Sequence, residues 1–332
     1  MSTPAPDPAL REHAEQSIAV GSKSFAAAAK LFDERTRRSA VMLYAWCRHC
    51  DDVIDGQQAG HDAVSISAGE AQRRLALLQA QTRAVYAGEP AGEPAFAAFA
   101  EVVREHGIPE HNAMEHLAGF EMDVLDRRYH TQDDTLQYCY HVAGVVGLMM
   151  ARVMGTDDPR TLDRACDLGV AFQLTNIARD IVEDARIGRC YLPAQWLDEL
   201  NIPLQALAAP EHRPAVAVLA QRLVNLAEPY YASAQAGLAA LPWRSAWAVA
   251  TAAAVYRQIG VKVVAAGSHA WDARISTSKA EKLAAVSQGG WRAVSARWRQ
   301  WPQRPAQLWS RPRPPCAAAP GAVREAEHAN AS

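Results

Sequence analysis

Apolar residues recur at three- and four-residue steps along most of the chain, the period of amphipathic helices. Between Ala40 and Ile54, for example, Leu43, Tyr44, Cys47 and Cys50 share one broad side. The pattern predicts helices over residues 9–20, 34–55, 69–86, 95–106, 109–124, 131–154, 163–183, 213–237, 243–266 and 279–296. An alanine-rich run to Phe32 follows the first of them. Gly56, the segment from Gly88 to Pro94, and Pro193 punctuate the series. Residues 56–68 read as loop and 197–207 as short turns. No alternation of period two marks a strand, so the expected fold class is all-α, one helical domain over residues 9–298. Residues 1–8 read as a flexible leader. Past Trp298 the core-forming period stops and prolines alternate with Arg304, Arg311 and Arg313. Residues 299–332 are therefore expected to form a flexible tail, with Trp301 and Trp309 available for weak membrane contact.

Two of the predicted helices end in carboxylates. Asp51 and Asp55 lie one turn apart on the same side, with Asp52 beside them. Asp180 and Asp184 repeat the spacing far along the chain, and Gln173 and Asn176 extend them into a polar stripe. Like charges at this spacing cost a helix a few tenths of a kcal/mol. Such pairs either face solvent or hold a cation. Mg²⁺ prefers oxygen ligands and commonly keeps open positions for waters and substrate phosphates, so two facing pairs suit a diphosphate. The apolar helices around them offer a cavity for a hydrocarbon, and together these favour ionisation of an allylic diphosphate away from water.

Composition narrows the choice. Hydrophobic residues make up 49% and charged residues 21% of 332, which is ordinary for a globular protein, and the formal charge of -2 gives no case for nucleic acid. The N-terminus lacks the basic and apolar segments of a signal peptide, so a cytoplasmic location is expected, with peripheral contact at the inner membrane left open. The most apolar stretches, 142–153 and 246–255, fall short of the roughly 18 residues of a spanning helix. The six cysteines are expected to be reduced, with Cys47 and Cys50 serving packing. His111 and His116 are five apart and point to different sides, which argues against zinc. Neither a P-loop nor a Gly-x-Gly-x-x-Gly is present. Gly144 and Gly147 each cost a helix about 1 kcal/mol relative to alanine, which implies a close crossing or space for a ligand. Gly119, one turn before Asp123, implies close approach of the same kind. Oligomeric state is not legible.

The segments Tyr44-Ala-Trp-Cys-Arg-His-Cys-Asp-Asp-Val-Ile-Asp55 and Asn176-Ile-Ala-Arg-Asp-Ile-Val-Glu-Asp184, the latter followed by Gly188-Arg-Cys-Tyr-Leu-Pro193, resemble the two aspartate-rich motifs of the squalene and phytoene synthases. Ser22-Lys-Ser-Phe25 and Tyr138-Cys-Tyr-His-Val-Ala-Gly-Val-Val-Gly147 match two further family segments. The resemblance spans about residues 17–279 and implies a helical bundle of the isoprenoid synthase type with a central apolar cavity. It implies that Asp51, Asp55, Asp180 and Asp184 bind Mg²⁺, with Mn²⁺ as a substitute, and that Asp52 supports them. Ser22, Arg48, Gln173, Asn176, Arg189, Tyr191, Arg257 and Lys279 would contact the diphosphates, and Tyr138 would stand by the reacting carbons. The implied reaction joins two geranylgeranyl diphosphates head to head through prephytoene diphosphate, without NADPH. Family members that use farnesyl diphosphate to make squalene, hydroxysqualene or dehydrosqualene are the alternative. A noncatalytic helical scaffold is the reading from a different class. The Arg/Pro-rich tail has no counterpart in the resemblance.

Overall fold

The computed structural model describes residues 8–21, 23–56 and 67–312, and every regular element among them is helical. In chain order the α-helices are α1 Pro8–Gly21, α2 Lys23–Ala29, α3 Glu34–Asp55, α4 Ala68–Ala87, α5 Pro94–His106, α6 Glu110–Val124, α7 Gln132–Cys139 and α8 Val145–Val153. They continue with α9 Pro159–Arg186, α10 Ala194–Glu199, α11 Arg213–Gly237, α12 Trp243–Ala266 and α13 Lys279–Ser295. The expected all-α class is what the chain adopts.

Local chemistry sets the ends of the two carboxylate-bearing helices. Asp33 caps α3 by accepting from the Thr36 amide at 3.0 Å and its hydroxyl at 2.8 Å. Gly56, at φ 62°, caps α3 in the left-handed conformation, so the helix stops at Asp55. Asp158 caps α9 through the Thr161 amide at 2.9 Å, and Pro159 occupies the first turn, where its missing N–H is harmless. From there α9 runs unbroken for 28 residues to Arg186. It packs along α11 and crosses α8 and α12, so it forms the spine of the bundle.

Residues 131–154 were expected as one helix, and the structure divides them by a π turn at Tyr140–Gly144. The division follows from how closely α9 approaches. A Cβ on Gly169 would lie 2.2 Å from the Ala143 carbonyl oxygen, and one on Gly147 would lie 2.3 Å from that of Ala165. Backbones meet here at a distance no side chain tolerates, and the wider π turn shapes the ridge that α9 presses against. Gly144 and Gly147 thus serve a helix crossing. On its other side the π turn is tied to α6, with His141 Nδ1 2.9 Å from the Glu115 carbonyl and His116 Nδ1 3.3 Å from the His141 carbonyl.

Two sequence expectations change. The stretch Trp243–His269, α12 and its following turn, has the length and composition of a spanning helix. Much of that apolarity is used inside the protein, where Ala246, Ala248, Ala250, Val255, Ile259 and Val263 are buried and the helix contacts α9, α11 and α13. The tail also begins later than its composition implied, because residues 299–312 pack on the bundle. Arg304 makes a forked pair with buried Asp167 at 2.7 and 2.9 Å, and Arg311 reaches Asp163 at 2.8 Å. The Trp309 amide donates to the Tyr230 hydroxyl at 3.1 Å, and its ring lies 5.2 Å from that of Tyr140. Those partners lie on separate helices, so no periodicity within the tail could report them. Trp301 and Trp309 accordingly face the core. Residues 1–7, 57–66 and 313–332 lie outside the described residues, and with them most of the leader, most of the expected loop and the rest of the tail.

Candidate active site

A cavity of about 1010 Å³ lies at the centre of the bundle, walled by α2, α3, α6 to α9, α11, α12 and the loop before α13. Its two ends differ in chemistry. Asp51, Asp55, Asp123, Asp180, Asp184, Arg48, Arg179, Arg189 and Arg274 gather at one. The α9 residues facing it run from Thr161 to Asp184, so at about 1.5 Å per residue the cavity follows α9 for about 35 Å. Away from the carboxylates the lining becomes mostly apolar, with Phe172 and Ala252 giving way to Phe32, Met154, Leu238 and Leu241, and Arg164 is the charged exception there.

Both aspartate pairs occupy the final turns of their helices, where the macrodipole is negative and repels anions. Arginines offset the charge. Arg48 pairs with Asp51 at 2.8 Å and with Asp52 at 2.9 Å, Arg189 pairs with Asp55, and Arg179 pairs with its neighbour Asp180. Burial, reinforced by the like charge of Asp55, pushes the Asp51 carboxyl up to about 7. Burial beside Asp180 does the same to Asp184, also to about 7. Arg189 lowers both, so its guanidinium is electrostatically shared between the two motifs.

Asp123, one turn past Gly119 on α6, stands between them. It is coupled electrostatically to Asp55 and Asp184, and burial raises its carboxyl to about 6. The Tyr138 hydroxyl donates to its Oδ2 at 3.3 Å. Tyr138 stacks on Tyr191 with ring centroids 4.4 Å apart, and Tyr129 packs edge-on at 5.4 Å. Burial, with Asp123 next to each, raises the Tyr138 and Tyr191 phenols well above their ordinary value, so both stay protonated. On α9, the Asn176 amide donates to Gln173 Oε1 at 3.3 Å, which continues the polar stripe toward the apolar bore.

Of the residues singled out by sequence, the structure brings Asp51, Asp55, Asp180, Asp184, Arg48, Gln173, Asn176, Arg189, Tyr191 and Tyr138 to this cavity. Asp52 stays behind it, held by Arg48. Arg257 points elsewhere: it follows Tyr256, which does face the cavity, and its Nε contacts both oxygens of Glu228 at 2.9 Å. Lys279 opens α13 on the exposed surface, whereas Lys282, a turn later, borders the cavity. Ser22 lies outside the described residues. Arg274 was missed. From the loop before α13 it reaches Glu183 at 2.7 Å and Asp180 at 3.4 Å, a placement that only folding creates.

The donor set fits a hard divalent cation, since half-buried carboxylates in pairs are relieved by added positive charge. Among the described residues no three His, Cys, Asp or Glu side chains already converge on one point. The fit therefore rests on donor chemistry, with water and phosphate oxygens completing any coordination sphere. Cys47 and Cys50 are free thiols raised by burial, in keeping with packing.

The squalene/phytoene synthase family model matches residues 18–281. The 15-cis-phytoene synthase of Pantoea ananas is 59% identical over 306 residues, covering 92% of this chain and 99% of that one. The 15-cis-phytoene synthase of Enterobacter agglomerans is 60% identical over 293 residues, covering 88% and 99%. The crystal structure of a dehydrosqualene synthase in complex with ligand superposes with a TM-score of 0.77 at 26% identity, covering 86% of this chain and 97% of that one. With two carboxylate-ended helices facing one apolar bore and a family match over most of its length, this chain belongs to the squalene/phytoene synthase family.

Proposed function

We infer that this chain condenses two geranylgeranyl diphosphates head to head to 15-cis-phytoene. The observation that carries the reading is near-full-length identity of 59% and 60% to two enzymes named for that product. The cavity supports it, with one charged end for diphosphates and a long apolar remainder for hydrocarbon.

The residues divide the work along that axis. Asp51 and Asp55 on α3 and Asp180 and Asp184 on α9 would hold Mg²⁺, with Mn²⁺ as a substitute. Once bound, the ion supplies charge neutralisation for the departing diphosphate. Arg48, Arg189 and Arg274 add positive charge at the same end, where the low dielectric strengthens it. The C1–oxygen bond of one substrate breaks, and its electron pair leaves with diphosphate. The double bond of the second substrate attacks the allylic cation, and loss of a proton closes the cyclopropane of prephytoene diphosphate. A second ionisation, rearrangement and proton loss give phytoene, so the balance needs no reductant and no NADPH. Tyr138, with its hydroxyl committed to Asp123 and its face stacked on Tyr191, sits where a ring can steady a cation. Gln173 and Asn176 line the passage from charged end to bore.

The test supplies purified protein with Mg²⁺ and either geranylgeranyl or farnesyl diphosphate, with and without NADPH, and identifies hydrocarbons by mass. A C40 product from the C20 substrate without NADPH is expected. A C30 product from farnesyl diphosphate alone would redirect the reading to squalene-type chemistry.

A further inference from the structure

A charged side chain in the apolar part of the cavity needs a reason, and Arg164 is that exception among the described residues. It stands in the second turn of α9, and the helix rises about 24 Å from it to Asp180 at about 1.5 Å per residue. The guanidinium is committed to partners other than the bore. Nη1 donates to the Ser233 hydroxyl at 2.8 Å and to the Ser233 carbonyl at 3.3 Å, and Nη2 donates to the Pro302 carbonyl at 2.9 Å. Long cationic side chains lay their methylenes along apolar surface while the charged head finds polar company, so the stem of Arg164 is left to wall the bore.

That stem is fixed at both ends. Where it leaves the backbone, α11 crosses at Gly237, and a Cβ there would stand 2.9 Å from Arg164 Cβ and 3.6 Å from Cγ. At the guanidinium end, Ser233 is itself held by Asp167, the carboxylate that Arg304 grips with its fork. The length of α9 between Arg164 and the aspartates then has a chemical measure. An extended isoprene unit is about 5 Å long on carbon–carbon bonds of about 1.5 Å, so a C20 tail reaches about 20 Å. Laid along α9 from a diphosphate beside Asp180 and Asp184, its last unit arrives at Arg164. A C15 tail ends about one helical turn earlier, near Leu168, which also lines the cavity. A C25 tail would have to pass the stem into the space that Thr161 borders, one turn further on.

We propose that Arg164 sets the chain length of the substrate: its stem, braced by Gly237 and anchored through Ser233 and Pro302, is the stop for the last isoprene unit of a C20 tail. The proposal deepens the reading of the product given above and rests on it. Shortening the stem joins the space beside Thr161 to the bore and admits a longer tail. A Cβ on Gly237 acts in the opposite direction, because it drives the stem inward and shortens the bore. The segment that carries Pro302 and Arg304 thereby takes part in specificity from outside the cavity, as the brace of its floor.

The test gives the full chain and its variants farnesyl, geranylgeranyl and geranylfarnesyl diphosphates separately with Mg²⁺, and compares kcat/KM across the three lengths. The parent should use the C25 substrate at least about tenfold less well than the C20 one, since a closed apolar pocket discriminates by such factors. Arg164→Ala should raise the C25 to C20 ratio about tenfold and yield a C50 hydrocarbon by mass. Arg164→Met, which keeps the bulk of the stem without its charge, should stay within about threefold of the parent ratio. Gly237→Ala should shift preference from C20 toward C15. A merely structural role would lower all three lengths in parallel and leave the ratios alone. An unchanged C25 to C20 ratio in Arg164→Ala of native circular dichroism overturns the stop, and so does a parent equally active on both lengths. Should Arg164→Ala not fold, Gly237→Ala decides, and an unchanged C20 to C15 ratio there overturns it. A parent that condenses farnesyl but not geranylgeranyl diphosphate overturns the product reading and the C20 stop together, whereas the other outcomes leave the product reading standing.

Discussion

Asp51 and Asp184 show most directly how position decides chemistry. An exposed aspartate titrates near 4, yet burial beside Asp55 and Asp180 raises these two to about 7. The sign of the consequence is fixed. Below about 7 the folded protein keeps both protons, while the unfolded chain loses them from about 4 upward, so without metal these groups reduce stability progressively between pH 4 and 7. A divalent cation must displace the same protons. The rise in melting temperature on adding Mg²⁺ is therefore expected to be larger at pH 8 than at pH 6, and an equal rise at both would contradict the metal assignment. Asp51→Asn and Asp180→Asn should each abolish diphosphate release, measured with malachite green after pyrophosphatase treatment, while the far-ultraviolet circular dichroism of the helices is retained. Full activity in both would remove the carboxylates from the mechanism.

At the scale of elements, the crossing of α9 over α8 and the π turn decides where the second pair of carboxylates sits. Gly147 and Gly169 let backbones touch, which brings the α9 residues facing the cavity close to Tyr138 and Val142 on the opposite wall. Gly147→Ala would gain about 1 kcal/mol of intrinsic helix preference. Its Cβ would also stand 2.3 Å from the Ala165 carbonyl oxygen, and relieving that overlap costs about 1–3 kcal/mol or more. A net loss of about 1 kcal/mol or more in urea unfolding is expected, and an unchanged midpoint would mean that the crossing yields freely.

For the whole molecule, residues 299–312 matter more than their composition announces. They lie across α9 and α11 and against the π turn, on the side of α9 away from the aspartates. Asp167 is 1% exposed and takes both a forked pair from Arg304 and a hydrogen bond from Ser233. Arg304→Ala leaves that carboxylate buried without its main partner, which costs about 3 kcal/mol in the usual range for such losses. Chemical denaturation should show that loss, and Arg304→Lys should recover only part of it because one ammonium cannot make the fork. A loss under about 0.5 kcal/mol would indicate that the strap contributes only as a surface pair does.

Most helices, their approximate limits and the carboxylate spacing were legible in the amino-acid order alone, because these depend on periods of three and four residues, on caps and on turn residues within one segment. It also marked Gly119, Gly144 and Gly147 as close-approach sites, since glycine in a helix is unfavourable without such a reason. Asp123 and Arg274 carried no comparable signal. A single aspartate and a loop arginine become part of the site only when α6 and the segment before α13 arrive beside α3 and α9. The same reason separates Tyr256 from Arg257, neighbours in sequence that a helix turns to different sides. It also hid the strap, whose arginines and tryptophans follow no repeat because their partners lie on α7–α9 and α11. Short-range pattern determined what each segment is, and long-range packing alone decided which segments meet around the cavity.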